Sequence, residues 1–287
     1  MLIDYHIHPD YSYDADGAVD DYCEQALRMG VSEICFTTHY NLGPIDGRGY
    51  ARHRGRVIPS DQEGWLADYW EDVKDAAHIY RDQGLTVKAG LEVDYIEGRE
   101  EGIQAAISGF PWDYVMGSVH YIEGLSLMFP DEARQIFRNH TIDALIASYY
   151  RKVVNAVELG VFNTIAHLDC YGKYGQEFYG GEVLRAHRDC ARPALEEMAQ
   201  TGVGIEVNTA PWRRRRREFM PSNPLLKDCR EAGIEIVTVG SDAHGVTQLG
   251  RWMDEAVSAA EAAGFTHIYT FTSGRPEPHD ITDFRKV

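Results

Sequence analysis

One after another, the short apolar runs of this chain end on a histidine, a carboxylate or an amide. His6 and His8 follow the first run and His39 the second, while Glu92 sits in the third. His120, His167 and Asn208 follow the next three, and Asp242 and His244 the last. The runs predict strands over 2–6, 33–38, 85–93, 114–119, 164–166, 203–207 and 235–239. Between them, helical patterning covers 19–29, 62–83, 100–108, 141–159, 182–201, 224–232 and 249–263. The stretch 266–271 reads as an eighth strand or a terminal extension, and 41–60 as a long loop containing glycine and arginine. Repeated strand-then-helix units imply parallel strands joined by right-handed crossovers. A closed barrel and an open doubly wound sheet both satisfy that order. Polar residues placed after the apolar runs favour the barrel, because its C-terminal rim gathers all the strand ends into one bowl.

Length and composition agree with one such α/β barrel, a single domain over 1–287. The chain is 44% hydrophobic and 11% aromatic, enough for a sizeable core. No apolar stretch reaches the length of a membrane span, and no segment reads as a secretory signal. Cys23, Cys35, Cys170, Cys190 and Cys229 are widely spaced, with no C-x-x-C pair. That usage reads as reduced thiols in a cytoplasmic protein rather than a disulfide frame. A net charge of −17 disfavours long nucleic acid as a partner, since such surfaces need basic residues to displace counterions.

On a strand, side chains two apart share a face, so His6 and His8 can chelate one ion. Their distant partners are His39, Glu92, His120, His167, Asp242 and His244. Imidazole and carboxylate ligands suit zinc, iron or manganese. A bridging carboxylate can hold two ions about 4 Å apart, the spacing of two-metal hydrolases. His78, His140, His187, His267 and His279 read as structural or exposed. His53 lies in the loop above the expected rim, and Cys170 reads as packing.

Asp4-x-His6-x-His8 with Ser12 and Asp14 resembles the first motif of the polymerase-and-histidinol-phosphatase (PHP) family. Thr38-His39 resembles the second motif. Gly90 to Tyr95 and Gly117 to Tyr121 are similar to the middle motifs. Ala166 to Asp169 and Gly240 to His244 complete the set. The resemblance spans nearly the whole chain. It implies a distorted (β/α)7 TIM-like barrel of the PHP type, with up to three divalent transition metal ions, zinc, iron or manganese. Carried over, it implies one ion position at His6, His8, Glu92 and Asp242. A second would use Glu92, His120 and His167, and a third Asp14, His39 and His244. Asp16 rivals Asp14, with the spacing after His8 favouring Asp14.

Around the motifs, the segments resemble the histidinol-phosphatase branch. The implied partner is a small phosphorylated substrate, L-histidinol phosphate, with a metal-bridging hydroxide attacking phosphorus. Asp242 and His244 are expected at the reacting centre, foremost as ligands. After Asn208-Thr209 the chain departs from that branch: Ala210-Pro211-Trp212 precede five arginines, Arg213 to Arg217. Arg213 is the one expected on the phosphate, by a bidentate contact. Asn208, Asp94 and Lys173 are further candidate substrate contacts. Arg52, Arg54 and Arg56 are additional anion candidates. Asp94 and Asp169 could orient ligand imidazoles or make local turn hydrogen bonds. The alternatives are another small phosphate ester or nucleotide, an amidohydrolase, whose barrels also open with His-x-His, or a metal-stabilised non-enzymatic module.

Overall fold

The computed structural model describes residues 1–43, 49–214 and 218–284. Seven parallel strands form one sheet in chain order. They are β1 (Ile3–Ile7), β2 (Glu33–Tyr40), β3 (Thr86–Asp94), β4 (Tyr114–Ser118), β5 (Thr164–Ile165), β6 (Gly204–Asn208) and β7 (Val237–Gly240). The order in space follows the order in sequence because each crossover passes outside the sheet to the next strand.

The sheet curls until β7 returns to β1, making a nearly closed barrel. Closure is incomplete as a ladder. A single parallel bridge joins Ile7 to Ala243, just past β7. His8 N donates to Ala243 O at 2.8 Å, and Ala243 N to His6 O at 3.2 Å. Asp4 strengthens this seam. Its buried carboxylate accepts from Ser241 N at 2.9 Å, Ser241 Oγ at 2.5 Å and Gly250 N at 2.8 Å. Burial pushes the Asp4 carboxyl up, against the lowering effect of those donors.

Leu91 and Val93, and likewise Ile205 and Val207, are buried apolar residues of the core. They alternate with Glu92 and Asp94, and with Glu206 and Asn208, as a period of two requires. Strands covered on both faces bury their polar side chains too, so each of these four must find partners. The first helix, Val19–Met29, ends at Gly30 with φ 72°, a left-handed cap that glycine takes without strain.

Several elements depart from the sequence expectation. Of the helix expected over 182–201 only the second half is α-helical, and a further helix precedes it. A helix at Gly172–Tyr179 gives way to 3-10 turns at Gly180–Leu184 and Ala186–Asp189, and a new helix runs over Arg192–Thr201. The Gly180-Gly181 pair weakens the first helix, and Pro193 in the opening turn starts the next. Part of the expected loop over 41–60 is an antiparallel hairpin, Tyr50–His53 with Arg56–Pro59. The stretch 266–271 is no eighth barrel strand. His267–Thr272 pairs antiparallel with Arg275–Asp280 in a separate ribbon. Among the described residues, no helix is long and apolar enough to cross a membrane.

Candidate metal centre

Every strand end contributes to one buried nest. Glu92 is its centre and is 1% exposed. Glu92 Oε2 lies 3.2 Å from His6 Nε2, 3.5 Å from His8 Nε2 and 2.9 Å from His39 Nδ1. Glu92 Oε1 lies 2.8 Å from His167 Nε2 and 3.7 Å from His120 Nε2. Its two oxygens therefore face different histidine groups. Asp242 Oδ1 stands 3.7 Å from His6 Nε2 and 3.4 Å from His8 Nε2. At the outer side, Asp14 reaches His39 Nε2 at 3.8 Å and His244 Nε2 at 3.7 Å. Asp16 instead turns outward, its side chain 95% exposed.

The spacing suits cations. His39 and His244 bring Nε2 atoms to 3.3 Å, as do His120 and His167. A tetrahedral shell with metal–nitrogen bonds of about 2.05 Å has edges of about 3.3 Å. Three groups place one ligand atom each within 4.8 Å: His6, Glu92 and His167; His6, His8 and Asp242; and His8, His39 and His244. His8 thus stands between the first and third positions implied by the resemblance. His8 Nε2 is buried with no hydrogen-bond partner among the described residues. An orphan nitrogen of that kind is what a ligand to a cation looks like.

The outer ring nitrogens are held from behind. His6 Nδ1 is 2.6 Å from Glu206 Oε1, His120 Nδ1 is 2.8 Å from Asp94 Oδ1, and His8 Nδ1 is 3.2 Å from Ser12 Oγ. His244 Nδ1 donates to Asp242 O at 3.0 Å. The carboxylate and carbonyl partners put the ring proton of His6, His120 and His244 on Nδ1 and leave the Nε2 lone pair facing the nest, while the Ser12 hydroxyl holds the His8 ring in place. Two residues of the nest also sit in strained backbone, His167 at φ 28° and Asp242 at φ 54°. Outliers of this sort cluster at functional sites.

The electrostatics express the same demand. Burial would push the Glu92 carboxyl up, but the His39 and His6 charges hold it well below the usual carboxylate range. Burial would lower His6, yet Glu206, Asp242 and Glu92 together raise it well above an ordinary imidazole. His39 is likewise raised to about 9, with Glu92 and Asp14 overcoming burial. His8 goes the other way, pushed down by burial and by His39 and His244. A desolvated set of carboxylates calls for positive charge, and protons and metal ions compete to supply it.

Above the nest opens a cavity of 340 Å³. Asp94, Lys173, Arg213 and Asp242 line it, with Tyr121, Met128, Phe129, Phe219 and Met220. Arg213 is less free than the sequence suggests: Nη1 donates to Ser241 O at 2.5 Å and Nη2 to Asp242 O at 2.9 Å. Lys173 Nζ rests 3.4 Å from Met128 Sδ. Arg215, Arg216 and Arg217 lie outside the described residues.

Most of the other expected contacts are engaged by the protein itself. Asn208 is fully buried, and its amide donates to Glu206 Oε2 at 3.2 Å and Asp242 Oδ2 at 3.4 Å. Its carbonyl accepts from Ala210 N, so its hydrogen bonds hold the nest and it does not line the cavity. Asp169 accepts from Ser222 N at 2.8 Å, at the head of the helix Asn223–Glu231, and burial pushes its carboxyl up to about 6. Arg54 pairs with Asp68, as does His53. Arg52 donates to two backbone carbonyls, and Arg56 is exposed. None of these four lines the cavity. Glu206 is the residue that sequence reasoning left unassigned. Its signal was its place two residues before Asn208, on the same strand face.

With this geometry in place, kinship can be read. A family model for the PHP domain matches residues 4–210. The chain belongs to the PHP family. A Deinococcus radiodurans protein named Probable histidinol-phosphatase is 30% identical over 277 residues, covering 96% of this chain and 99% of its own. The Histidinol-phosphatase of Bacillus subtilis is 26% identical over 263 residues, covering 86% of this chain and 95% of its own. Among solved structures, histidinol phosphate phosphatase from Lactococcus lactis, crystallised with zinc, L-histidinol and phosphate, superposes with a TM-score of 0.74. That pair is 20% identical, over 96% of this chain and 98% of the other, and the likeness is one of PHP fold.

Proposed function

We propose that this PHP protein is a metal-dependent phosphomonoesterase that hydrolyses L-histidinol phosphate to L-histidinol and phosphate. The observation that carries the reading is Glu92, whose two oxygens face separate histidine groups at the floor of a small cavity. Names and contents of the relatives supply the leaving group. The 340 Å³ space suits a small monoester rather than a polymer, in keeping with the chain's negative charge.

His6, His8, Glu92 and Asp242 would hold one divalent ion, and Glu92, His120 and His167 a second. Asp14, His39 and His244 would hold the third. Bound there, such ions acidify a water for attack and neutralise phosphoryl oxygens. Zinc, iron and manganese all suit this donor set. The chain's own residues do the rest. Lys173 and Arg213 bring positive charge to the wall where the phosphate enters. Met128, Phe129, Phe219 and Met220 give the leaving group an apolar surround that excludes water. Asp94, with one oxygen on His120, lies where a cationic amine of the substrate would meet a carboxylate.

A phosphate-release screen tests the proposal. Purified protein is supplied with manganese, zinc, iron or cobalt and offered histidinol phosphate, other small monoesters and nucleotides. Fastest release from histidinol phosphate, abolished by chelation, is expected. Release from another ester with none from histidinol phosphate would overturn the substrate assignment and leave the phosphatase reading standing.

A further inference from the structure

Resting on the three-ion reading above, the geometry points to Arg52 as a positioning residue for Asp14, and through it for retention of the outermost ion. Asp14 is the most weakly seated member of the nest. It lies on the turn between β1 and the first helix, and its side chain is 39% exposed. Its carboxylate meets only the His39 and His244 imidazoles, at 3.8 and 3.7 Å, among the contacts described. By contrast Glu92 lies within a paired strand, and Asp242 is steadied by Asn208.

What holds Asp14 is the backbone around it. Arg52 Nη2 donates to Tyr13 O at 2.7 Å, and Nη1 to Ala15 O at 2.7 Å. These are the carbonyls on either side of Asp14. A planar guanidinium fork engaging both fixes the peptide that joins Tyr13 to Asp14 and the one that joins Ala15 to Asp16, so Asp14 lies between two held points. The hairpin carrying Arg52 is itself fastened to this turn. Arg52 N donates to Tyr11 O at 2.7 Å, and Ser12 bridges Ala51 antiparallel. The turn has other ties: backbone bonds from Ser12 N to Pro9 O, Ala15 N to Ser12 O and Asp16 N to His244 O, the Ser12 hydroxyl on Thr38 Oγ1, His39 N and His8 Nδ1, and the Tyr22 hydroxyl on Asp16 O. Among the described residues, Arg52 alone grips the residues on both sides of Asp14.

Arg52 does not line the cavity, so substrate contact is not its task. Its nearest carboxylate, Asp16 at 3.9 Å, is 95% exposed and gives the guanidinium little hold. The Arg52 charge is therefore directed at two carbonyl dipoles beside a ligand. Residues that orient ligands from behind change metal affinity about 10–100-fold when removed.

The test compares Arg52→Met, Arg52→Lys, Asp14→Asn and the Asp14→Asn/Arg52→Met pair, each loaded with zinc and then with manganese. Metal content after gel filtration and a chelator competition resolve the ions by retention, and phosphate release is followed in parallel. Wild type should carry three ions and Asp14→Asn two. Arg52→Met should hold two ions as wild type does and the third about 10–100-fold more weakly, with activity restored by added metal. Arg52→Lys should fall between, since an ammonium can still meet one carbonyl. The double variant should lose no more than Asp14→Asn alone. If Arg52→Met keeps all three ions as tightly as wild type, or weakens all three alike as it lowers the melting temperature, the inference is wrong. Should Arg52→Met not fold, Arg52→Lys is judged by the same measures. Wild type with fewer than three ions would instead overturn the underlying reading of the nest.

Discussion

Glu206→Gln isolates the carboxylate that faces the His6 ring from behind. Glu206 is fully buried. Oε1 meets His6 Nδ1 at 2.6 Å, while Oε2 accepts from His167 N at 3.0 Å and Asn208 Nδ2 at 3.2 Å. Three donors converge on a group that only accepts. Glutamine keeps the shape but turns one of the two positions into a donor. If the amide nitrogen faces His6, it opposes the Nδ1–H that leaves Nε2 free to bind a cation. If it faces the other way, it opposes two N–H groups at once. Either orientation forfeits at least one hydrogen bond to a charged group, about 1.5–3 kcal/mol. At 1.36 kcal/mol per tenfold this is about 10–150-fold in the affinity of the ion nearest His6. The 10–100-fold effects typical of residues behind metal ligands agree. The assay is a chelator competition on protein loaded with one metal, with phosphate release measured at limiting and at saturating metal. A role in orienting His6 predicts weak retention that excess metal repairs. Retention within twofold of wild type, in a variant that melts cooperatively, would refute the argument that Glu206 sets the His6 ring.

Gly240→Ala attacks the same contact from the backbone: an added Cβ would lie 2.3 Å from Glu206 Oε1 and 2.4 Å from His6 Cβ. Overpacking should cost about 1–3 kcal/mol in thermal denaturation and loosen metal retention; a variant as stable and as metal-retentive as wild type would show that the seam of β1, β6 and β7 has slack. Glu33 offers a pH test away from the nest. Burial raises its carboxyl above the ordinary value, against the hydrogen bond from the Tyr5 hydroxyl and the charge of Lys88. A carboxyl raised on folding favours the protonated native state, so its contribution is intact below the unfolded value of 4.5 and is lost as pH rises through the folded one. Glu33→Gln should therefore melt higher than wild type near pH 7–8, with the gap closing toward pH 4; a gap that widens in acid would contradict the sign.

The parts of this protein that could be read from its sequence are those where side-chain type and strand position speak together. His6 and His8 are two apart, and each later histidine or carboxylate of the nest falls at or just past a strand end, so both barrel and nest follow from local patterns. The helix Val19–Met29 is equally plain from its pattern and from Gly30 at its end, and the structure adds Asp21 accepting from Ala18 N at its start. What escaped depends on contacts across the barrel. Glu206 looks like any strand acid until Gly240 makes room for it beside His6. Arg52 and Arg213 look like free cations for an anion, yet both give two donors to backbone carbonyls at or beside Asp14 and Asp242. Arginine type predicts that something with lone pairs will be gripped, but not whether it is a phosphate or a peptide. That ambiguity has a physical consequence. An arginine holding the Asp242 peptide can also contact phosphate only through its remaining N–H groups, in a direction fixed by the carbonyls it already holds. On the function proposed above, Arg213 would thus tie phosphate position to the setting of Asp242. Lys173, a point charge on a flexible stem, would adapt to the phosphate instead, so that on this proposal the two cations that line the cavity among the described residues divide orientation from attraction.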